Sequence, residues 1–165
     1  AIRDDNPVVF IENKRLYPQK GLVPDEEYLL PLDKAEVVSA GSDMTVLTYS
    51  AMTPVCLAVK EAVLRSGLDL EIVDLLSLQP FDRETIFASV RKTGRVLIVE
   101  EACRTGGPGA EIAALIAEHC LDGLEAPILR VAAEDVPIPS SLDLEKYVLP
   151  QTDDILKAIK QLRDY

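Results

Sequence analysis

The chain has 165 residues, 48% hydrophobic and 27% charged, so it is long enough for one domain with a proper core and too short for two. Its formal net charge of −11 argues against a nucleic-acid partner, because such partners are held mainly by lysines and arginines that neutralise phosphates. No apolar run approaches the length needed to cross a bilayer, so we expect no membrane role.

The first 42 residues favour a strand and a linker that precede the main domain. Residues 8–11 read VVFI, which is typical of a buried strand, but nothing before Ala1 could pair with it. Residues 13–31 are polar and interrupted by prolines, with an acidic cluster at 25–27, as expected of a linker. A strand without neighbours suggests the end of a truncated domain.

Strands and helices then alternate from residue 44. Residues 44–49 predict a strand, and the following helix is expected to begin with Thr53 as N-cap and Pro54 at its first position. Gly67 is placed for a left-handed turn at the end of that helix. This pattern predicts the first strand-helix unit of a parallel sheet.

The second unit repeats the pattern. Residues 70–76 predict a strand, and Asp82 is the expected N-cap of a helix in which Phe81 and Ile86 form a hydrophobic staple. Gly94 is expected to end that helix.

Residues 93–116 form the stretch around which the rest of the chain is organised. The apolar run 96–99 predicts a strand buried on both faces, followed by the glycine-rich turn GGPG at 106–109 and a helix over 110–117. In open parallel sheets the crevice at the carboxyl end of a strand is where function usually lies.

The last third predicts one more strand and one more helix. Residues 128–132 read as a strand, 134–141 as a proline-rich loop, and Thr152 as the N-cap of an amphipathic helix with the stripe Ile155, Leu156, Ile159 and Leu162. Alternation of this kind favours a mainly parallel sheet covered by helices on both faces.

The candidate functional residues lie in and around the glycine-rich turn. Backbone N–H groups at a helix N-terminus can hold an anion, but GGPG matches neither the dinucleotide fingerprint nor a P-loop, so the alternative is a turn that allows close packing. Glu100 and Glu101 at the strand end could supply an acid or base. They point to opposite faces, however, and a solvated or interface role is expected for them.

The remaining candidates are isolated side chains. Cys103 lies beside Arg104, which could favour its thiolate, but no base or second cysteine accompanies it. Together with Cys56 and Cys120 it forms neither a disulfide framework nor a zinc pattern, which indicates a reducing compartment. His119, the single histidine, is expected to complete a helix C-terminus, so no catalytic, cofactor-binding or metal-binding residue is assigned.

Several ordered segments resemble a known family. Residues 96–118, VLIVEEACRTGGPGAEIAALIAE, are similar to the transketolase C-terminal domain as found in beta subunits of 2-oxo acid dehydrogenase E1 components. Residues 1–17 resemble the end of the preceding pyrimidine-binding domain, and 72–95 and 126–141 resemble further segments of the same family. The resemblance implies a three-layer α/β/α fold with a mostly parallel five-stranded sheet over 43–165, after a domain end and linker over 1–42.

The resemblance also implies a function. An E1 beta subunit of the pyruvate, branched-chain 2-oxo acid or acetoin type works with an alpha subunit and a second beta subunit. The assembled enzyme uses thiamine diphosphate and magnesium to decarboxylate a 2-oxo acid and acylate the lipoyl group of the E2 component. The activating glutamate and the cofactor contacts lie outside the region present, so this chain alone is expected to be inactive and to bind no cofactor.

The domain's role is then assembly and docking. The family's C-terminal domain receives the small basic peripheral subunit-binding domain of E2, which gives the acidic surface a use beyond solubility. The alternatives are a transketolase, a 1-deoxyxylulose-5-phosphate synthase, or a stand-alone module that binds a small anion at GGPG. The expected compartment is the bacterial cytoplasm or the mitochondrial matrix, and the resemblance leaves the choice of 2-oxo acid, the oligomeric state and the roles of Arg104 and Cys103 open.

Overall fold

A five-stranded sheet forms the centre of the molecule, described by a computed structural model of residues 1–165. Its strands are β1 (Glu36–Ser39), β2 (Met44–Thr48), β3 (Leu70–Asp74), β4 (Val96–Cys103) and β5 (Leu129–Ala133). They lie in the order β1-β3-β2-β4-β5, and only β1 runs antiparallel to its neighbour. The mostly parallel five-stranded sheet is therefore confirmed.

Five helices cover the two faces and one edge of this sheet. They are α1 (Met52–Leu64), α2 (Arg83–Thr93), α3 (Pro108–Cys120), α4 (Leu142–Val148) and α5 (Thr152–Arg163). Helices α1 and α5 pack together on one face, and α2 and α3 on the other, which is the expected three-layer arrangement. None of the helices combines enough length and apolarity to cross a membrane.

The two faces carry separate hydrophobic cores because side chains alternate along each central strand. Along β4, Leu97 and Val99 belong to the core under α1 and α5, whereas Val96 and Ile98 belong to the core under α2 and α3. All four side chains are fully buried. Apolar residues in succession are required here, since both faces of β4 are covered.

Some helix ends agree with the sequence and others do not. Asp82 caps α2 as expected by accepting a hydrogen bond from the Thr85 N–H at 3.1 Å, and Gly94 ends that helix at φ 66°. The prediction of Thr53 as N-cap is wrong, because α1 already begins at Met52 after Ala51. Thr152 is likewise the first residue of α5 rather than its cap.

The cap of α5 is Gln151. Its backbone N–H donates to the Asp154 carboxylate at 3.1 Å, which is half of a capping box. A glutamine can occupy this position because the acidic side chain three residues later supplies the acceptor.

The N-terminal segment differs most from expectation. Residues 8–11 form no strand: they pair with nothing, and the Val9, Phe10 and Ile11 side chains are exposed. Before β1 the only regular element is a short 3-10 helix at Lys14–Leu16. The sequence also did not indicate β1 or α4, both of which lie at the periphery.

Candidate functional site

The topological switch point of the sheet lies between the carboxyl ends of β2 and β4. From β2 the chain passes through α1 to β3 on one side, and from β3 it crosses through α2 to β4 on the other. Open parallel sheets bind ligands at such a crevice. Here the crevice holds Tyr49, Glu100 and Glu101 from the strand ends and the glycine-rich turn before α3.

Glu100 is the centre of this crevice. Its carboxylate is completely buried and accepts hydrogen bonds from three different elements: Arg130 Nη2 of β5 at 2.7 Å, the Gly109 N–H of α3 at 2.9 Å and the Tyr49 hydroxyl at 3.3 Å. The expectation that Glu100 is solvated is therefore wrong. A buried carboxylate is stable here because Arg130 neutralises its charge and the helix N-terminus favours an anion.

The charge of Glu100 also affects its tyrosine neighbour. Burial, and then the negative charge of Glu100, raise the pKa of the Tyr49 hydroxyl well above its ordinary value. Tyr49 is thus held as a neutral hydrogen-bond donor and is unsuited to act as a base at this position.

The glycine-rich turn is shaped around the Glu100 carboxylate. A Cβ at Gly109 would lie 2.3 Å from Glu100 Oε1, and one at Gly107 would lie 2.4 Å from the Cys103 carbonyl oxygen. The backbone of Gly106 has φ 76°, a value that residues other than glycine rarely adopt. The interpretation of GGPG as a turn that allows close packing is confirmed, and its anion is the protein's own carboxylate.

The contacts in this crevice decide whether its residues could hold the thiamine diphosphate and magnesium that the resemblance implies for the assembled enzyme. The N–H of Gly109 that could face a phosphate already donates to Glu100, and no group of three or more histidine, cysteine, aspartate or glutamate side chains could hold a metal ion. The residues of this crevice therefore do not fit a thiamine diphosphate and magnesium site.

Glu101 points away from Glu100, as alternation along the strand requires. Its two carboxylate oxygens accept hydrogen bonds from Asn13 Nδ2 at 3.1 Å and Arg15 Nη1 at 3.0 Å. Both partners lie in the segment before the sheet. Glu101 thus attaches the N-terminal segment to the carboxyl edge of β4.

Cys103 is the last residue of β4, and Arg104 begins the loop after it. Cys103 is exposed, with no disulfide partner, and the Arg104 guanidinium donates a long hydrogen bond of 3.4 Å to the Arg130 carbonyl oxygen. Thr105 is held by Asp135, which accepts from the Thr105 hydroxyl at 2.6 Å and its N–H at 2.8 Å. These hydrogen bonds lower the pKa of Asp135.

His119 lies outside the crevice, near the end of α3 as expected. Its Nδ1 is 3.0 Å from the Leu115 carbonyl oxygen, and its ring stacks on Phe87 with centroids 5.1 Å apart. His119 therefore links α3 to α2 and contacts no other candidate residue.

Arg130 and Tyr49 are the residues that sequence reasoning missed. A signal for Arg130 did exist, because an arginine within the strand 128–132 needs a counter-charge when that strand is packed. The sequence does not show which acid supplies it, since Glu100 lies 30 residues earlier on the neighbouring strand.

Comparisons with known proteins show the family to which this chain is similar. The sequence profile described as "Transketolase, C-terminal domain" matches residues 33–155. The Cyanidium caldarium protein named pyruvate dehydrogenase E1 component subunit beta is 48% identical over 165 residues, which is 100% of this chain and 50% of that protein. The Arabidopsis thaliana protein named pyruvate dehydrogenase E1 component subunit beta-3, chloroplastic, is 44% identical over 98% of this chain and 40% of its own length.

A solved structure agrees with these sequence relatives. It is described as a split gene transketolase, inactive beta4 tetramer, and it superposes with a TM-score of 0.72 at 28% identity, over 87% of this chain and 45% of its own. The chain spans about half the length of the curated relatives it matches.

Proposed function

Because this chain belongs to the transketolase C-terminal domain family, we propose that it is the C-terminal half of the beta subunit of a pyruvate dehydrogenase E1 component. The observation that carries the proposal is the 48% identity with the Cyanidium caldarium subunit, which extends over all 165 residues rather than over one motif. Residues 1–35 are then the end of the preceding domain and its linker, and the C-terminal domain begins with β1 at Glu36 rather than at residue 43, because β1 pairs with β3 in the sheet.

In this proposal the domain contributes structure rather than catalytic groups. With an alpha subunit and a second beta subunit, the enzyme would use thiamine diphosphate and magnesium bound elsewhere to decarboxylate a 2-oxo acid and acylate the lipoyl group of E2. The strongest acid-base candidate in the chain, Glu100, has both carboxylate oxygens engaged within the fold. The chain alone should accordingly be inactive.

The test is reconstitution. The natural-length beta subunit, coexpressed with its alpha subunit, is assayed for decarboxylation of pyruvate and 2-oxoisovalerate, for carbon–carbon cleavage of acetoin, and for acylation of lipoamide by each of the three substrates. We expect turnover of pyruvate and acylated lipoamide. Decarboxylation by the 165-residue chain without another protein would contradict the structural role, and ketol transfer without lipoamide acylation would indicate a transketolase or a 1-deoxyxylulose-5-phosphate synthase instead.

We further propose that exposed carboxylates of 43–165 dock the basic peripheral subunit-binding domain of E2. The net charge of −11 supports this, because complementary charge accelerates and orients association. The affinity for E2 should fall as salt is added and when acidic residues within 43–165 are replaced by basic ones. Asp25→Lys in the linker is the matched control and should leave the affinity unchanged. Salt-independent affinity would contradict the proposal.

For the compartment we keep the bacterial cytoplasm and the mitochondrial matrix and add the chloroplast, since the Arabidopsis thaliana relative carries that word in its name. Fractionation of cells that express the natural gene with its own N-terminus distinguishes the three.

A further inference from the structure

A cleft that shares Arg130 with the Glu100 ion pair, but not the Glu100 carboxylate itself, lies at the outer edge of β5, the last strand of the sheet. Its volume is about 410 Å³, within the usual range for small-molecule sites. Residues that line it come from the loop after β4, from β5, from α4 and from the segment that joins α4 to α5, and include Arg104, Val131, Lys146, Val148, Leu149 and Pro150.

The charges around this cleft favour an anion. Arg104, Arg130 and Lys146 line it, in a chain whose net charge is −11. Arg130 is neutralised by Glu100. The other two have weak partners: Arg104 makes the 3.4 Å contact with a carbonyl oxygen, and Lys146 Nζ lies 3.8 Å from the exposed Asp143.

The acids of the cleft do not cancel these two cations. Asp154 accepts the Gln151 N–H at 3.1 Å and pairs with Lys157 at 3.5 Å, so its carboxylate is engaged at the start of α5. Glu134 is the one remaining carboxylate on the wall, and none of the ion pairs of the structure includes it. Arg104 and Lys146 thus outnumber the free acid.

The rest of the wall is apolar. Val148, Leu149 and Pro150 are buried beneath the cleft, and Val131 is half-buried in β5, which has no strand partner on its outer side. An inorganic ion would leave this apolar wall unused, whereas a ligand with an anionic end and an apolar body would use both parts.

We propose that this cleft binds a small organic anion, a carboxylate or a phosphate monoester, held by Arg104 and Lys146 with its apolar body against Val131 and Leu149. The site goes beyond the proposed function and requires no part of it. Its test measures binding and not turnover, so its failure would leave the proposed function standing.

The experiment is calorimetric titration of the natural-length protein with phenyl phosphate and benzoate as probes and with benzyl alcohol as a neutral comparison. We expect saturable one-to-one binding of at least one anionic probe and none of benzyl alcohol. Arg104→Gln and Lys146→Gln should each weaken binding about tenfold, because each removes a charge-assisted hydrogen bond. Lys160→Gln, at an exposed lysine of α5 outside the cleft that pairs with none of its acids, should bind as the unmodified protein does.

Three results would overturn the proposal. One is absence of saturable binding by both anionic probes. Another is equal affinity of the Arg104→Gln, Lys146→Gln and Lys160→Gln proteins. Circular dichroism should show all three to be folded, because all three side chains are exposed. The third is equal affinity for inorganic phosphate and phenyl phosphate, since it would mean that the apolar wall contributes nothing.

Discussion

Glu100 is the residue on which the carboxyl edge of the sheet depends. Its three hydrogen-bond donors come from the end of β2, from β5 and from the start of α3, so a single carboxylate joins three elements. Removing one partner of a buried ion pair leaves the other charge without compensation, which costs more than the pair itself contributes.

Glu100→Ala should therefore lower the free energy of unfolding by about 3 kcal/mol, because Arg130, whose side chain is only 16% exposed, would lose its counter-charge. Urea unfolding followed by circular dichroism measures this. Glu84→Ala, an exposed position on α2, is the matched control and should change stability by less than about 0.5 kcal/mol.

If Glu100→Ala does not fold, Glu100→Gln provides the comparison. It keeps the shape and one acceptor oxygen but not the charge, so it should lose more stability than Glu84→Ala and less than the value expected for Glu100→Ala. Equal stability of Glu100→Gln and Glu84→Ala would show that the charge of Glu100 has no structural role.

Gly109 is required by the same carboxylate. Gly109→Ala should destabilise by about 1–3 kcal/mol, since the added methyl group would overlap Glu100 Oε1 and force it to move. Gly21→Ala is the control, because a Cβ there has no atom within 4 Å. Thermal unfolding of both variants decides the point, and equal melting temperatures would contradict the packing explanation.

At the scale of elements, Asp82 joins α2 to the antiparallel edge strand. Its carboxylate accepts the Thr85 N–H and hydroxyl within α2 and the Ala35 N–H immediately before β1. Burial alone would raise the pKa of Asp82, but the hydrogen bonds from Ala35 and Thr85 together hold it below its ordinary value.

The sign of the pH effect follows from that lowered pKa. The ionised carboxylate stabilises the fold above the ordinary aspartate value, and this stabilisation is lost as pH falls through the lower folded-state pKa. Asp82→Ala should lower the free energy of unfolding by about 1–3 kcal/mol at pH 7. The difference from the unmodified protein should shrink below about pH 4.

Urea unfolding between pH 3 and pH 7 tests this, with Asp25→Asn in the exposed linker as a control that should show no such difference. A deficit for Asp82→Ala that stays constant over the whole range would mean that ionisation of Asp82 does not contribute.

The sequence predicted the central elements better than the peripheral ones. β2, β3 and β4 are central strands buried by helices, and β5 is a mostly apolar edge strand that is half-buried, so their apolar residues identify all four. β1 has four residues and a half-exposed pattern, and α4 has seven, so neither carries a period long enough to recognise. Residues 8–11 show the converse: an apolar run predicts a strand only where a neighbouring strand is available.

The candidate site was predictable in position but not in chemistry. The strand, glycine-rich turn and helix placed the crevice correctly. The burial of Glu100 was not predictable, because it depends on contacts with Tyr49 and Arg130 that lie 51 and 30 residues away in sequence.

At the scale of the whole molecule, residues 1–35 expose large apolar side chains that the sheet domain does not cover. Phe10 and Ile11 are 74% and 88% exposed, and Leu22 and Val23 are similarly open. Contiguous exposed apolar residues of this kind usually mark an interface with other protein.

We expect these residues to promote self-association of the 165-residue chain, so Phe10→Ser with Ile11→Ser should reduce it. The melting temperature of the double variant should stay within about 2 °C of that of the unmodified chain, since neither side chain is buried. Sedimentation velocity measures the association. The double variant Leu97→Ser with Ile98→Ser, in the buried part of β4, is the contrast and should unfold the domain. If the Phe10 and Ile11 variant associates as the unmodified chain does, the self-association interface does not include these two residues.

The three thiols differ in a way that makes the carboxyl edge experimentally addressable. Burial raises the pKa of Cys56 to about 12 and also raises that of Cys120, whereas Cys103 is exposed at the end of β4. A maleimide dye or spin label should thus attach at Cys103 alone. Because Cys103 lies four residues before Gly107, such a probe would report distances from this edge to any bound subunit without introducing a new cysteine.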